Sequence, residues 1–458
     1  MSLDVPHDLL TRYDQPGPRY TSYPTAPVWS GDFGSDDHRA SLLRANQQSG
    51  VGMSLYVHLP FCRSMCYYCG CSVIISRDPN NGDRYVADVL REAALARESL
   101  QASRPVVQHH WGGGTPTFLS PDQMVRLFQG LLEIYPHTDD AEISIEIDPR
   151  VTSVEQLEAL RKCGFNRISM GVQDFDEQVQ KAINRIQPFE ETRYLVEAAR
   201  QLGFESVNLD LIYGLPHQTR RNFSKSITQV LSLRPDRLAC YGYAHVPWLK
   251  KHQEVISVED LPHGSDKLDL YLLALNAFQD AGYEAIGMDH FALPEDGLVK
   301  AANSGTLHRN FMGYATHQAE DMLSFGVTSI SEIAGAFAQN VKQLNQYRES
   351  LDAGRLPVER GMRRNKDDEQ RRAIILDLMC RFKLDFADHG GAETFHRAYS
   401  GALAALAPFA VDGLIELDDQ GIRVTPLGRL FVRNVAMPFD AYLEKQRQAK
   451  RQMFSRTV

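Results

Sequence analysis

The chain has 458 residues, of which 43% are hydrophobic and 23% are charged, and it carries 49 Lys and Arg residues against 58 Asp and Glu. This length suggests about two to four domains with a sizeable core. The net charge of −9 argues against a general nucleic-acid-binding surface, which would need to be basic. It leaves room for a local basic pocket that binds an anionic small molecule.

The amino-terminal segment, residues 1–50, is predicted to form an ordered but irregular arm, because it is rich in Pro, Gly, Tyr and Asp and shows little periodicity. Its first residues have neither the basic start nor the apolar stretch of a signal peptide. No apolar run in the chain approaches the ~20 residues needed to span a bilayer. We therefore expect a cytoplasmic protein without membrane contact.

Four of the seven cysteines crowd into one segment, PFCRSMCYYCGC, directly after the first predicted strand at residues 54–61. The odd total argues against a disulfide framework. The isolated cysteines are typical of small buried hydrophobes, and these are Cys163, Cys240 and Cys380. The clustered cysteines are Cys62, Cys66, Cys69 and Cys71, and the first three have C-x3-C-x2-C spacing.

An iron–sulfur centre is the favoured explanation of this spacing. Structural zinc normally uses paired C-x2-C units from two places in the chain, and no second unit follows here. Three thiolates on one short loop suit three irons of a [4Fe–4S] cluster and leave the fourth iron open to another ligand. Cys71 is a poor fourth ligand, because only Gly70 separates it from Cys69. Zinc binding and an inert or redox-active thiol cluster remain the alternatives.

From about residue 54 to 250, short strand patterns alternate with longer helix patterns. The predicted strands are residues 54–61, 106–114, 141–148, 167–175, 206–214 and 237–247. The predicted helices include residues 84–100, 121–134, 154–163, 190–202 and 221–233. This rhythm predicts an α/β fold with a parallel sheet and right-handed crossovers, and six units favour an open, partial (β/α)6 barrel. Functional groups are then expected at the carboxyl ends of the strands.

Several polar residues and glycines fall at these strand ends. The glycines of WGGGTPT would let the backbone approach a ligand closely, and a tight β-α turn is the alternative. Glu146 and Asp148 flank Ile147, and we expect that one carboxylate can point into the barrel and the other away. For Glu146, the sequence alone favours a solvated or capping role. Asp210 is an acid within an apolar strand, a costly place unless it accepts hydrogen bonds. For Arg185, the sequence alone favours an exposed helix surface.

The carboxyl-terminal segment has a different pattern of predicted helices and strands from the barrel. DEQRRAIILDLMCRF is typical of an amphipathic helix, and the residues from Ala410 to Val435 suggest a helix, two short strands and a helix. This pattern predicts a small, mainly helical, winged-helix-like domain with an acidic wing, which favours packing or a lid over DNA binding. The predicted division is an arm at 1–50, a barrel with an extension at 51–365 and a helical domain at 366–458.

The C-x3-C-x2-C motif is the signature of the radical S-adenosylmethionine (SAM) superfamily, and Tyr68 supplies the aromatic residue common before the third cysteine. An ordered set of motifs further resembles the bacterial oxygen-independent coproporphyrinogen III oxidases, nearly from end to end. This set comprises YDQPGPRYTSYPTA, YVHLPFCRSMCYYCGC, WGGGTPT, EIDPR, GVQDF, NLDLIYGLP, YAHVPW and HRNFMGYAT. The superfamily's partial barrel agrees with the fold predicted above.

The resemblance implies a [4Fe–4S] cluster and two SAM molecules per chain. The implied cluster ligands are Cys62, Cys66 and Cys69. The implied contacts to the first SAM are Tyr56, Gly113, Glu146 and Ile330. The implied contacts to the second SAM are Tyr68, Gly114, Thr115, Gln173, Arg185, Asp210 and Ala244. Cys71 and Glu146 are the residues that we assign to catalysis on this basis.

The implied substrate is coproporphyrinogen III, a flexible tetrapyrrole with four propionates. Two propionates would become vinyl groups, giving protoporphyrinogen IX for heme biosynthesis, after hydrogen abstraction by a 5′-deoxyadenosyl radical formed from SAM. The propionates need Arg or Lys partners, and Arg19 of the arm could supply local charge, although an anchoring role is favoured for Arg19, Tyr20 and Tyr23. Met312 departs from the Gln that the resemblance leads us to expect.

Two other functions fit parts of the pattern. One is a heme carrier or chaperone of the same superfamily, and the other is a heme-degrading radical SAM enzyme. The extra Cys71 and the long arm favour the oxidase over the carrier. The expected partners are the tetrapyrrole and a reductant protein such as flavodoxin or ferredoxin, with no nucleic acid and no membrane, for a protein expected to be monomeric.

Overall fold

The computed structural model describes residues 5–316, 319, 321–448 and 454–457. The ends of the predicted arm and of the predicted carboxyl-terminal domain, at 1–4, 449–453 and 458, lie outside the described residues. The strands, in chain order, are β1 (Met53–Leu59), β2 (Phe61–Cys62), β3 (Ile74–Ile75), β4 (Val106–Gly113), β5 (His137–Ile147), β6 (Arg167–Gln173), β7 (Ser206–Tyr213), β8 (Arg237–Gly242), β9 (Glu284–Gly287), β10 (His290–Ala292), β11 (His308–Asn310), β12 (Gly313–Ala315), β13 (Met322–Phe325), β14 (Ile330–Ile333), β15 (Ala336–Asn340), β16 (Val358–Arg363), β17 (Lys383–Asp385), β18 (Ile415–Leu417) and β19 (Gly421–Val424).

The α-helices lie between and after these strands. In chain order they are α1 (His7–Tyr13), α2 (Ser35–Ala45), α3 (Asn80–Ser99), α4 (Pro121–Ile134), α5 (Val154–Cys163), α6 (Glu177–Ala182), α7 (Phe189–Gln201), α8 (Arg220–Ser232), α9 (Ser265–Asp280), α10 (Gly297–Ser304), α11 (Leu344–Asp352), α12 (Lys366–Arg381), α13 (Ala392–Ala398), α14 (Ser400–Val411), α15 (Val432–Ala436) and α16 (Leu443–Gln448).

The largest sheet places six strands side by side in chain order, β1-β4-β5-β6-β7-β8, and each pair of neighbours is parallel. Strand β13 adds a seventh parallel strand beside β1, and antiparallel strands extend the sheet at both edges. The predicted parallel sheet is therefore confirmed, with helices in every crossover. The prediction erred mainly at strand ends, since β5 begins at His137 rather than 141 and β8 ends at Gly242 rather than 247.

The parallel strands lie in the core because both faces of the sheet are covered. Strand β1 is buried at six of its seven positions, which is typical of a parallel strand with helices on both faces. Helices α4 and α5 start at side-chain caps, where Ser120 and Ser153 accept a hydrogen bond from the third helical residue. Trp111 is fully buried at the centre of this core.

The carboxyl-terminal region combines helices with a small antiparallel sheet of order β17-β19-β18. The predicted helix and strand pair are present as α12, β18 and β19. The prediction missed β17, which is only three residues long and gains its hydrogen bonds from β19, 36 or more residues away in the chain. The described residues establish no likeness to a winged helix, which stays a prediction.

The arm is more regular and more buried than the sequence suggests. It contains the helices α1 and α2, so the prediction of an irregular segment was wrong. Tyr20 and Tyr23 are each only 2% exposed and share an apolar cluster with the carboxyl-terminal helices. Buried Arg433 donates hydrogen bonds to the carbonyl oxygens of Gly17 and Pro18. The first part of the arm, up to Tyr23, is therefore part of the carboxyl-terminal core, whereas Leu42 and Ala45 of α2 pack in the core of the main sheet. The anchoring role expected of the two tyrosines agrees with this placement.

Among the residues described, no helix combines the length and the apolar character needed to cross a bilayer.

Candidate active site

A cavity of about 360 Å³ lies at the carboxyl ends of the parallel strands, next to the cysteine loop at residues 62–71. All but three of the predicted site residues line it. The predicted residues that line the cavity are Cys62, Cys66, Tyr68, Cys69, Cys71, Gly113, Gly114, Thr115, Glu146, Gln173, Arg185 and Asp210. Residues from five strands and one loop meet here because parallel strands present their carboxyl ends at a single edge.

The cysteine loop is held by hydrogen bonds to its backbone from residues far away in the chain. The loop carbonyls of Tyr68 and Cys71 accept hydrogen bonds from Gln253 and Lys250 at 2.9 Å each. The Nε2 atom of His252 lies 2.7 Å from the carbonyl oxygen of Cys69. The irregular loop is therefore fixed without using its thiols, which remain free to bind a ligand.

The thiols of the loop have different environments. Burial raises the pKa of Cys62 to about 11, against the effect of a contact of 3.4 Å with the hydroxyl of Thr115. A hydrogen bond from Cys71 lowers the pKa of Cys69, which favours the thiolate form that metals bind. Cys71 is the exposed member of the group. Among the described residues, no three His, Cys, Asp or Glu side chains converge closely enough to hold one metal ion.

Asp148 forms a buried ionic cluster beside Cys66. Its carboxylate accepts hydrogen bonds from Arg150 Nη2 at 2.6 Å and from Arg185 Nη1 at 3.0 Å. Burial would raise the pKa of Asp148, but the charges of Arg185 and Arg150 outweigh it and hold the pKa below its usual value. The Arg150 and Arg185 guanidinium groups lie 3.4 and 3.7 Å from Cys66 Sγ.

Arg185 is buried, so the prediction of an exposed helix surface was wrong. Its Nη2 donates a 2.6 Å hydrogen bond to the carbonyl oxygen of Gly171, and its position after α6 turns the side chain into the cavity rather than to solvent. Its Nε is buried without a hydrogen-bond partner among the described residues. A buried unpartnered donor is costly, and the side chain that carries it lines the cavity.

Glu146 lies at the end of β5 and joins two neighbouring segments. It accepts a hydrogen bond from the backbone N–H of Gly113 at 3.2 Å, and its other oxygen lies 3.5 Å from His110 Nε2. Burial would raise the pKa of Glu146, but these two contacts lower it below its usual value. Glu146 and Asp148 both line the cavity, so the expectation that they point to opposite sides was wrong. Residues two apart along a strand share a face.

Asp210 extends the polar wall on β7. It accepts hydrogen bonds from Asn208 Nδ2 at 2.7 Å and from Ser169 Oγ at 3.1 Å, as the sequence required of an acid in an apolar strand. Burial and the nearby charge of Glu146 raise the pKa of Asp210 to about 7. Gln173 has a φ of +68°, a conformation rare for a residue with a Cβ, and such strain concentrates at functional sites.

Tyr56, Ile330 and Ala244 lie outside the lining of this cavity. Tyr56 stacks on His110, with ring centroids 5.9 Å apart, and its hydroxyl lies 3.1 Å from His58 Nδ1. Ser324 is the register partner of Tyr56 and donates a hydrogen bond to the carbonyl oxygen of Ile330, which places Ile330 close to Tyr56. Ala244 instead lines a neighbouring cavity beyond β8.

Other residues at the site escaped the sequence analysis. Arg150 was not predicted, although it is the last residue of EIDPR. The loop-anchoring residues Lys250, His252 and Gln253 were not predicted either, although they follow YAHVPW in the chain. Their roles depend on contacts across many residues, which the local sequence does not show. Met312 lies in the turn between β11 and β12 and lines neither cavity.

The chain is similar to known proteins over its whole length. The Radical SAM superfamily matches residues 56–230, and the HemN C-terminal domain matches residues 365–431. Relatives named oxygen-independent coproporphyrinogen III oxidase include that of Pseudomonas aeruginosa, 46% identical over 458 residues, and that of Escherichia coli, 44% identical over 452 residues, each covering 98% of both chains. The solved structure of coproporphyrinogen III oxidase (HemN) from Escherichia coli, described as a radical SAM enzyme, is 42% identical with a TM-score of 0.90 and covers 96% of this chain and 100% of that one.

The glycines of the site offer a test of its close packing. A Cβ added at Gly114 would lie 2.6 Å from the carbonyl carbon and oxygen of Pro60, at the start of the cysteine loop, whereas a Cβ at Gly70 would meet nothing within 4 Å. We expect Gly114→Ala to displace the loop, destabilise the protein by about 1–3 kcal/mol and reduce the iron bound after anaerobic reconstitution. Gly70→Ala is the control and should keep both properties. Equal iron content and equal thermal unfolding of the two variants would contradict this packing.

Proposed function

The chain belongs to the oxygen-independent coproporphyrinogen III oxidases, a family of radical SAM enzymes, and from this premise we propose how its residues perform that reaction. The enzyme converts two propionates of coproporphyrinogen III to vinyl groups and forms protoporphyrinogen IX. Each propionate loses a hydrogen atom, CO2 and one electron, and the electron passes to an acceptor outside the chain. The observation that carries the proposal is the convergence of the C-x3-C-x2-C thiols, Glu146, Arg185 and Asp210 on one cavity.

Cys62, Cys66 and Cys69 are the proposed ligands of a [4Fe–4S] cluster. The residues fit this group because three thiols on one anchored loop line the cavity, and two guanidinium groups lie beside Cys66 Sγ. When bound, the cluster would supply the electron that cleaves SAM to a 5′-deoxyadenosyl radical able to abstract hydrogen. Three protein ligands leave one iron open for SAM.

The first proposed SAM position lies against Gly113 and Glu146, with Tyr56 and Ile330 at its far side. The Glu146 carboxylate is ionised and already accepts a hydrogen bond from the Gly113 backbone, so it is suited to bind an amino group. A Cβ at Gly113 would lie 2.6 Å from the His58 ring, so only glycine allows this close backbone approach. Tyr56 and Ile330 would act from the wall of β1 and β14.

A second SAM is proposed on the other side of the cavity. Its proposed contacts are Tyr68, Gly114, Thr115, Gln173, Arg185, Asp210 and Ala244. The positive charge of Arg185, which lines the cavity, suits a ligand carboxylate, and Asp210 is an acceptor for ribose hydroxyls. Support for Ala244 is weaker, because it lines the adjacent cavity.

Cys71 and Glu146 are the proposed catalytic residues. Cys71 lines the cavity beside Cys69 but is separated from it by a single residue, so it is proposed to act in second-SAM placement or substrate chemistry rather than as a ligand. The site holds its polar groups at the edge of a buried sheet, where water is limited. Exclusion of water protects a reactive carbon radical from side reactions.

The remaining parts of the account are also proposals. The six parallel strands are proposed to curve into a partial (β/α)6 barrel, with the arm at 1–50, the barrel and its extension at 51–365 and a winged-helix-like domain at 366–458. The closely spaced thiols favour a reducing compartment, so a cytoplasmic location is proposed. A flavodoxin or ferredoxin is the proposed reductant of a monomeric enzyme.

The two kinds of cysteine in the loop should respond differently to substitution. Cys69→Ser should lose the broad visible absorption of the cluster and the ability to cleave SAM, because no spare thiolate replaces the lost ligand. Cys71→Ser, the matched variant two residues away, should retain iron and the cluster spectrum while product formation falls sharply. Anaerobic iron analysis and absorption spectroscopy report on the cluster in both variants, and assays of SAM cleavage and product formation report on their activity. Loss of iron from Cys71→Ser, or full iron in Cys69→Ser, would contradict the assignment.

Anaerobic turnover tests the proposed reaction as a whole. With coproporphyrinogen III, SAM and a reductant, we expect two CO2 and two 5′-deoxyadenosine for each protoporphyrinogen IX, since each propionate requires one hydrogen abstraction. Labelled CO2 and 5′-deoxyadenosine are measured in the same samples. Stable heme binding without CO2 would favour a carrier, and consumption of heme would favour a heme-degrading enzyme; either result would overturn the oxidase.

A further inference from the structure

A second cavity, also of about 360 Å³, adjoins the active-site cavity along strands β7 and β8. Tyr213 and Gly242 line the second cavity, and their chain neighbours Ile212 and Tyr241 line the first. The ring of Tyr241 stands at the boundary, with the guanidinium carbon of Arg19 5.7 Å from its centroid. The arm, the ends of β7 and β8, helix α9 and the carboxyl-terminal region together form its wall.

The second cavity is basic although the protein is acidic overall. Five Arg and Lys side chains line it against a single carboxylate, that of Asp289. The basic residues are Arg19, Lys267, Arg429, Arg433 and Arg456. Such an excess of like charge in a partly buried space is unfavourable unless an anion offsets it.

Three of these cations already have partners. Arg19 pairs with Asp289, and Arg456 donates to the carboxylate of Asp14. Arg433 donates to backbone carbonyls of the arm, which fixes its role as structural. These three residues form the wall and are not available as the main partners of a ligand.

Lys267 and Arg429 differ, because within the described part of the chain neither forms a salt bridge; the carboxylate that acts on Lys267 at longer range, Asp14, is paired with Arg456. The ammonium of Lys267 lies 5.9 Å from the centroid of the Tyr213 ring, and the Arg429 guanidinium lies over Phe382 at 4.5 Å. The aliphatic stem of Lys267 runs over Gly214, where a Cβ would meet it at 3.1 Å. Gly214 thus leaves space for Lys267 to extend along the cavity wall.

The rest of the lining is aromatic or apolar. Tyr243, Tyr271 and Trp248 contribute ring faces, and Leu268 and Met288 contribute apolar side chains. Broad apolar walls with a few placed cations are typical of a site for a bulky apolar ligand with carboxylate groups. The active-site cavity, by contrast, has no Lys among the described residues that line it.

We propose that this second cavity binds propionate side chains of the tetrapyrrole that are not reacting, with Lys267 as their principal partner. The inference rests on the proposed function, which supplies a substrate with four propionates of which two react. Holding the unreactive propionates beyond Tyr241 would orient the macrocycle so that a reacting propionate lies in the active-site cavity. Lys267 is therefore a substrate-positioning and specificity residue for the reaction.

Binding of fluorescent coproporphyrin III to the cluster-loaded enzyme tests this inference directly. We expect Lys267→Gln to weaken coproporphyrin III binding about tenfold, the effect of losing one charge-assisted hydrogen bond, and to raise KM for coproporphyrinogen III. Iron content, SAM affinity and thermal unfolding should stay unchanged. Lys267→Arg should keep most of the affinity. Lys251→Gln, which alters an exposed lysine that lines neither cavity, should match the wild-type enzyme.

The ligand provides a control that needs no substitution. The tetramethyl ester of coproporphyrin III lacks carboxylates, so it should bind the wild-type enzyme weakly and be insensitive to Lys267→Gln. Turnover by the wild-type enzyme together with unchanged coproporphyrin affinity in Lys267→Gln would overturn this inference alone. A change confined to SAM affinity would also overturn it, by assigning the cavity to SAM. A wild-type protein that neither binds coproporphyrin III nor forms product would overturn the inference and the proposed function together.

Discussion

The candidate site depends on one buried ionic contact, in which the Asp148 carboxylate accepts hydrogen bonds from both Arg150 and Arg185. Removing these charges from water is costly unless each is paired, and here one carboxylate is shared by two guanidinium groups. The remaining positive charge lies beside Cys66 Sγ and the cavity. It favours an anionic ligand in the cavity. The same contact links the end of β5 to the segment after α6 and so fixes two walls of the site.

Much of the fold could be predicted from the sequence because its signals are local. Short strand patterns alternate with longer helix patterns, and the cysteine loop follows β1 directly. The failures arise where distant contacts decide the outcome. Arg185 follows a short helix, so its local sequence predicts an exposed side chain. In the folded chain it is buried and donates hydrogen bonds to Asp148 and to the carbonyl oxygen of Gly171. Strand β17 is stabilised by its partner strand β19. The arm is held by Arg433, which lies hundreds of positions away in the chain. The prediction that Glu146 and Asp148 point to opposite sides failed for a different reason. Residues two apart along a strand lie on the same face, so the sequence alone would have allowed the correct prediction.

The arm connects the two cavities to the carboxyl-terminal region. Its backbone receives hydrogen bonds from Arg433, and its Arg19 reaches both Asp289 and the ring of Tyr241. Five Arg and Lys side chains line the second cavity of this acidic protein, where propionates of the tetrapyrrole are the proposed ligands. In the proposed function, the thiol-lined cavity carries out the radical chemistry and the basic cavity orients the substrate. Different residues therefore have these two roles. This division explains why the cluster motif alone does not define the substrate.

The central claim is that three thiolates hold a four-iron cluster and leave one iron for SAM. Mössbauer spectroscopy of the ⁵⁷Fe-reconstituted enzyme, recorded with and without SAM, tests it most directly. The account predicts that SAM changes the isomer shift of one iron in four, because only one lacks a cysteine ligand. Four irons that do not respond to SAM would contradict the account, as would a spectrum of a single mononuclear site.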